Sequence, residues 1–99
     1  MEVSTTSNWK TLEQFEAQLR GDPAFRTKLD AAEPDYLLAR EIVAARLAAK
    51  MSQAELAHAI GTSQSRISKW ERGQETPRVD ALRRIAKATG RQLEVRFVA

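Results

Sequence analysis

The chain has 99 residues, 42% of them hydrophobic, and a formal net charge of +3. That length supports one modest core and excludes two independently folding domains. The absence of cysteine excludes a disulfide framework and a thiolate metal site, and no apolar run is long enough to span a bilayer. Because the first residues also lack the pattern of a signal peptide, we expect a soluble cytoplasmic protein with no membrane association.

Charge is divided unevenly along the chain. Residues 1 to 35 hold seven acidic and four basic side chains, net −3, whereas residues 36 to 99 hold six acidic and twelve basic ones, net +6. Neutralising phosphates drives much of DNA affinity, so the basic part suits nucleic acid. The acidic part indicates a different partner.

Start signals predict two short helices in the acidic part. The first spans residues 12 to 20 and is capped by Thr11, with Gln14 at the capping-box position. The second opens at Asp22-Pro23, a capping residue followed by a first-turn proline, and reaches about residue 32.

These two helices carry large apolar side chains flanked by carboxylates. We expect those side chains to be exposed and to form an apolar surface with acidic edges that docks on a basic protein. The candidate docking residues are Leu12, Phe15, Glu16, Leu19 and Phe25. The alternative is that residues 12 to 32 only pad the core. Trp9 either packs on the first helix or joins the contact surface.

A long Ala-rich helix is predicted over residues 35 to 50, at the start of the basic part. Its apolar stripe consists of Leu38, Ile42, Ala45 and Ala49, with Arg40, Arg46 and Lys50 expected outside. The last helix is predicted from Thr76-Pro77 to about Thr89, buried through Val79, Leu82, Ile85 and Ala86 and capped by Gly90.

Residues 52 to 73 place two short amphipathic helices on either side of a Gly61-Thr62 turn, with Ala57 as the small residue at the crossing and Ser63 as a cap. Ile67 and Trp70 give the second helix a buried stripe. Its other faces then carry Gln64, Ser65, Arg66, Ser68 and Lys69. This is the layout of a helix-turn-helix, in which the second helix enters the major groove. The alternative is a plain helical bundle.

Several polar residues are candidates for reading DNA. The Gln64 amide can pair with adenine N6 and N7, while Arg66 can reach either guanine O6 and N7 or a phosphate. Residues at helix ends favour phosphates. The full set of candidate DNA-binding residues is Gln53, Thr62, Ser63, Gln64, Ser65, Arg66, Ser68, Lys69, Arg72, Thr76 and Arg78.

The C-terminal residues change period. Between Gln92 and Val98, apolar Leu93, Val95 and Phe97 alternate with polar residues, which predicts a half-buried β-strand. A lone strand leaves backbone groups unpaired, so we expect it to pair with its own copy in a homodimer, with these three apolar side chains at the interface.

The stretch from about Leu37 to Gly90 resembles the lambda-repressor-like family of the Cro/C1, or Xre, type. The resemblance is carried by Met51-Ser-Gln-Ala-Glu-Leu-Ala57, Ile60-Gly-Thr-Ser-Gln-Ser-Arg-Ile-Ser-Lys-Trp-Glu-Arg-Gly73 and Leu82-Arg-Arg-Ile-Ala-Lys-Ala-Thr-Gly90. It implies a compact helical domain that binds a palindromic operator in double-stranded DNA as a two-fold dimer. It also implies that Gln53 donates to a phosphate and braces Gln64.

The whole arrangement is similar to HigA-type antitoxins. Three segments carry this likeness: Gly21-Asp-Pro-Ala-Phe-Arg26, Glu33-Pro-Asp-Tyr-Leu-Leu-Ala-Arg40 and Leu93-Glu-Val-Arg-Phe97. The likeness implies a protein partner, a small basic ribonuclease toxin of the HigB/RelE type, and repression of the protein's own operon. A stand-alone repressor and an interaction adaptor with a vestigial DNA head are the alternatives.

These patterns predict a mainly α protein with three parts: an acidic helical extension at residues 1 to 35, a helix-turn-helix domain at residues 36 to 90 and a C-terminal strand at residues 91 to 99. The lone histidine, His58, has no companion for catalysis or metal binding and is expected on the surface. We therefore expect no enzymatic activity, no cofactor and no metal.

Overall fold

The computed structural model describes residues 11 to 31 and 33 to 99. Its helices are α1 (Leu12–Arg20), α2 (Pro23–Asp30), α3 (Pro34–Ala48), α4 (Gln53–Ile60), α5 (Gln64–Glu71) and α6 (Val79–Thr89). The expectation of a mainly helical fold is confirmed. None of these helices is long and apolar enough to cross a membrane.

The predicted start signals of α1 and α2 are present. The Thr11 hydroxyl accepts a hydrogen bond from the Gln14 amide at 3.0 Å, and the Gln14 side chain accepts one from the Thr11 amide at 3.2 Å. Asp22 accepts from the Ala24 amide at 3.0 Å. These bonds satisfy backbone donors that a helix start leaves without partners, so two short helices can begin within a few residues of each other.

Helix α3 is shared by two apolar clusters. Ile42 packs into the first with side chains from α4, α5 and α6, namely Leu56, Ala57, Ile60, Ile67, Trp70, Ala81 and Ile85. Val43 packs into the second with Phe15 and Phe25, against which Leu12, Tyr36 and Leu47 also lie. Because adjacent helical residues point about 100° apart, one helix serves both clusters.

The expected exposure of Phe15 and Phe25 is wrong. Phe15 is 0% and Phe25 4% exposed, with ring centroids 6.1 Å apart in an edge-to-face arrangement. The reason is the second apolar face of α3, which carries Val43 and Leu47 and covers both rings. Residues 12 to 30 therefore build a second small core. Trp9 and the side chain of Leu19 lie outside the described residues.

The predicted C-terminal strand is absent. Residues 91 to 99 have no regular secondary structure, because no second strand in the described part of the chain offers the ladder hydrogen bonds that would define one. Val95, Phe97 and Val98 are 70%, 104% and 79% exposed, while Leu93 is half-buried. Val79 at the start of α6, expected in the core, is also exposed.

Candidate nucleic-acid interface

The first motif helix, α4, is fixed at both ends. At its start the Ser52 hydroxyl accepts from the Glu55 amide at 3.0 Å and the Glu55 carboxylate accepts from the Ser52 amide at 2.7 Å. At its end Gly61 adopts the left-handed region, φ 75°, and the Thr62 amide donates to the Ala57 carbonyl at 2.9 Å. The capping box was missed by the sequence interpretation, although its Ser-x-x-Glu spacing is a recognised signal.

Helix α5 begins and is anchored as predicted. The Ser63 hydroxyl accepts from the Arg66 amide at 3.1 Å, which confirms the cap. Ile67 is fully buried and Trp70 is 5% exposed, so Trp70 is a core residue. Since this stripe holds one side of the helix in the core, the opposite side is presented as a rigid surface.

That outer side carries most of the predicted reading residues. Ser65, Arg66 and Lys69 are exposed and Gln64 is half-buried, so solvent reaches four polar side chains of α5. Ser68 is different, because it is only 6% exposed. It lies three residues before the buried Glu71, on the same face of the helix, and its expected place on the outer side is wrong.

Residues at the helix ends flank this surface. Thr76 and Arg78 are exposed, Ser63 is exposed beside its capping bond, and Thr62 and Arg72 are half-buried. Arg78 Nε lies 3.5 Å from Asp80 Oδ1, and the Arg78 side chain is 88% exposed. The solvent screens such a pair strongly, so Arg78 can exchange it for a phosphate at little cost.

A buried polar network lies behind α5. Arg46 of α3 donates to both oxygens of Glu71, from Nε at 2.7 Å and from Nη2 at 3.0 Å, and its Nη1 donates to the Met51 carbonyl at 2.9 Å. Gln53 Nε2 donates to Glu71 Oε1 at 2.9 Å. This network joins α3, the start of α4 and the end of α5, and thereby fixes the angle at which α5 is presented.

The network corrects two expectations. Arg46, expected outside, is 2% exposed, and Gln53, expected at a phosphate, is also 2% exposed with its amide nitrogen committed to Glu71. Arg46 lies four residues after Ile42, on the buried stripe of α3, so its position alone was an available signal. Glu71 carries the same positional signal, four residues after Ile67, but the identity of its partners does not follow from it, because they lie 18 and 25 residues away in the chain.

The extension contacts the helix-turn-helix part through charge as well as apolar packing. Arg40 Nε of α3 donates to the Glu16 carboxylate of α1. That hydrogen bond, together with the charge of Glu16, raises the pKa of the Arg40 guanidinium above its ordinary value. Of the candidate docking residues, Glu16 and Leu12 are half-buried.

The fold and this surface define a DNA-binding helix-turn-helix protein of the Xre type. The helix-turn-helix family model matches residues 42 to 95, more than half of the chain, and the chain belongs to that family. It is also 30% identical over 77 residues to the antitoxin HigA1 of Mycobacterium tuberculosis, in strains CDC 1551 / Oshkosh and ATCC 25618 / H37Rv.

Those alignments cover 78% of this chain and 52% of each relative, so the chain spans about half the length of the curated relatives it matches. No solved structure matches the chain significantly.

Proposed function

We propose that this protein is the antitoxin of a type II toxin-antitoxin system. In this role it represses its own operon as a homodimer on a palindromic operator, and it neutralises a small basic ribonuclease toxin of the HigB/RelE type in the cytoplasm. The observation that carries the proposal is the pairing of two features in one fold: a braced recognition helix with an exposed polar face, and an acidic helical extension packed against the same domain.

The DNA-binding half of the proposal is supported by the outer side of α5. Ser65 and Lys69 lie on that side, with Gln64 and Arg66 at its two edges, while the opposite side is held by Ile67 and Trp70. A helix anchored in this way can insert long polar side chains into the major groove without losing its own packing. Residues 36 to 99, with net charge +6, supply the attraction to phosphate.

The toxin-binding half is supported by charge and by the likeness to an antitoxin. Glu13 and Asp22 are exposed on the extension, and Glu16 keeps part of its surface open beside Arg40. We call these three residues the acidic face. Because Phe15 and Phe25 are buried, their rings are not available to contact a toxin. We propose instead that the acidic face attracts a basic partner electrostatically.

Dimer formation is supported by the C-terminal tail. Val95, Phe97 and Val98 are exposed apolar side chains of the tail, and Val95 also lines a groove of about 420 Å³ between α3, α6 and the tail. Apolar side chains concentrated in this way are typical of a protein contact. A two-fold dimer would set the distance between two recognition helices, at about 34 Å for adjacent major grooves.

A stand-alone dimeric repressor of the Xre type is the second candidate. The observation that favours it is the burial of Phe15 and Phe25, because an extension that completes a core needs no further partner to explain it. The two candidates share the DNA-binding role and differ only in the protein partner.

One experiment separates them. The chain is co-expressed with any short basic open reading frame found adjacent to its gene, and growth rescue and complex formation are measured alongside binding to the upstream DNA. The antitoxin hypothesis predicts rescue that is lost in Glu13→Lys with Gln18→Lys, a pair of exposed positions on α1. Rescue is kept in the control Ala48→Lys, an exposed position on α3 that does not line the groove beside the tail. Upstream DNA binding without complex formation or rescue supports the stand-alone repressor.

A further inference from the structure

A carboxylate lies next to the arginine at the centre of the DNA-reading surface. Glu75, in the loop between α5 and α6, places Oε1 3.3 Å from Nε of Arg66 on α5. The side chains are 39% and 56% exposed, so the pair lies at the surface that α5 presents. A negative charge at this place opposes the phosphate backbone, and its presence calls for a specific role.

The Oε1 atom of Glu75 is buried without a hydrogen-bond donor in the part of the chain that the structure describes, which indicates what this residue does. Glu75 Oε1 is shielded from solvent yet accepts no hydrogen bond within the described residues, because the nearby Arg66 Nε–H is not aligned with it. An acceptor that has lost its water and gained no donor is destabilising. A small rotation of the guanidinium that directs Nε–H at Oε1 removes this penalty, so the oxygen favours one orientation of Arg66.

Which side of the Arg66 guanidinium contacts Glu75 determines which donors are left to bind a base. Glu75 engages Nε, on the side of the group, which leaves the end formed by Nη1 and Nη2 unused by this contact. The two N–H donors at that end match guanine O6 and N7, which lie side by side in the major groove. The same pairing lowers the net charge at Arg66, which weakens its attraction to a phosphate.

We propose that Glu75 is a positioning residue that commits Arg66 to a base edge rather than a phosphate and thereby sets part of the DNA specificity. The proposal rests on the DNA-binding function proposed above and assigns Arg66 to a guanine. We assign the DNA backbone to two other exposed cations, Lys69 and Arg78, of which Arg78 is paired with a different carboxylate, Asp80.

The test is a selection of bound duplexes from a randomised library, followed by affinity measurements on the selected duplex and on one unrelated duplex. Arg66→Ala identifies the base pair that Arg66 reads. Glu75→Ala removes the acceptor and is expected to lose preference at that same base pair, by roughly tenfold, and to bind the unrelated duplex more tightly. The matched control Asp80→Ala removes a carboxylate beside Arg78 and is expected to change affinity for both duplexes without changing any base preference.

Glu75→Asp separates positioning from charge. It keeps the negative charge but shortens the side chain by one methylene, which breaks the contact with Arg66, so we expect the base preference to fall while binding to the unrelated duplex stays as in the wild type. A Glu75→Ala or Glu75→Asp protein that keeps the full wild-type preference overturns the positioning role. A wild-type protein that selects no sequence overturns the DNA-binding function as well, which distinguishes the two failures.

Discussion

The ring of Tyr36 lies against the backbone of Gly73, so closely that a β-carbon on Gly73 would be 2.9 Å from Cε1 of the tyrosine. Tyr36 also packs edge-to-face on Phe25, with ring centroids 4.8 Å apart. One side chain therefore joins the second apolar cluster to the loop that follows the recognition helix. The contact of Tyr36 with Gly73 therefore links α3 to the loop after α5.

Gly73→Ala is expected to destabilise the protein more than Gly61→Ala. Both glycines lie in the left-handed region, at φ 71° and 75°, where alanine costs about 1–2 kcal/mol. At Gly61 an added β-carbon meets nothing within 4 Å, whereas at Gly73 it meets Tyr36. Overpacking of that kind adds about 1–3 kcal/mol. Urea unfolding of the two variants measures the difference, and equal free energies of unfolding would show that Tyr36 yields freely.

Phe15→Ala is expected to lower the free energy of unfolding by about 3–5 kcal/mol, because it empties a fully buried aromatic site in the second cluster. DNA affinity, measured well below the melting temperature, should stay near the wild-type value, since Phe15 packs in the second cluster, which contains no residue of α5. Gln18→Ala, on an exposed position of the same helix, is the control and should change neither quantity. An unchanged melting temperature in Phe15→Ala contradicts the second core.

Glu71→Ala is expected to lower the free energy of unfolding by about 3–5 kcal/mol, because Arg46 is left charged and buried without its partner. Replacing both residues with apolar ones, as in Arg46→Met with Glu71→Leu, should recover part of this loss, since no charge then stays buried. Asp80→Asn, which removes an exposed carboxylate from the pair with Arg78, should change stability by about 0.5 kcal/mol or less. A double variant no more stable than Glu71→Ala would contradict the account.

Gln64→Ala and Arg66→Ala are each expected to weaken binding to the selected duplex by about 1–3 kcal/mol, with loss of preference at separate base pairs. Lys69→Ala should instead weaken binding to all duplexes and reduce the slope of log affinity against log salt concentration by about one. Titrations at several salt concentrations distinguish the two behaviours. Uniform loss in all three variants would mean that α5 contacts only the backbone.

Phe97→Asp is expected to convert the protein from dimer to monomer and to weaken operator binding strongly, because it places a charge in the exposed apolar tail. Arg96→Ala, the neighbouring exposed position, is the control and should leave the dimer intact. Sedimentation velocity at several protein concentrations measures the assembly state. An undiminished Phe97→Asp dimer would locate the interface elsewhere in the molecule.

Local patterns were sufficient to determine the helices and their order. Thr11 with Gln14, Asp22 with Pro23, and Gly61 followed by Ser63 act within three or four residues, so their hydrogen bonds and backbone angles follow from spacing alone. The helix-turn-helix was recognisable for the same reason. Its small, turn and core positions are close together in the chain.

What covers each helix was decided only by the tertiary structure. Phe15 and Phe25 carry the same amphipathic signal whether they face a partner or α3, and the choice depends on Val43 and Leu47. Burial of Gln53 depends on Glu71, 18 residues away. The strand predicted from Gln92 to Val98 depends on a second strand that the described part of the chain does not contain. The periodicity of the sequence indicates that one face of a helix is apolar. Which surface covers that face depends on contacts between residues that are distant in the chain.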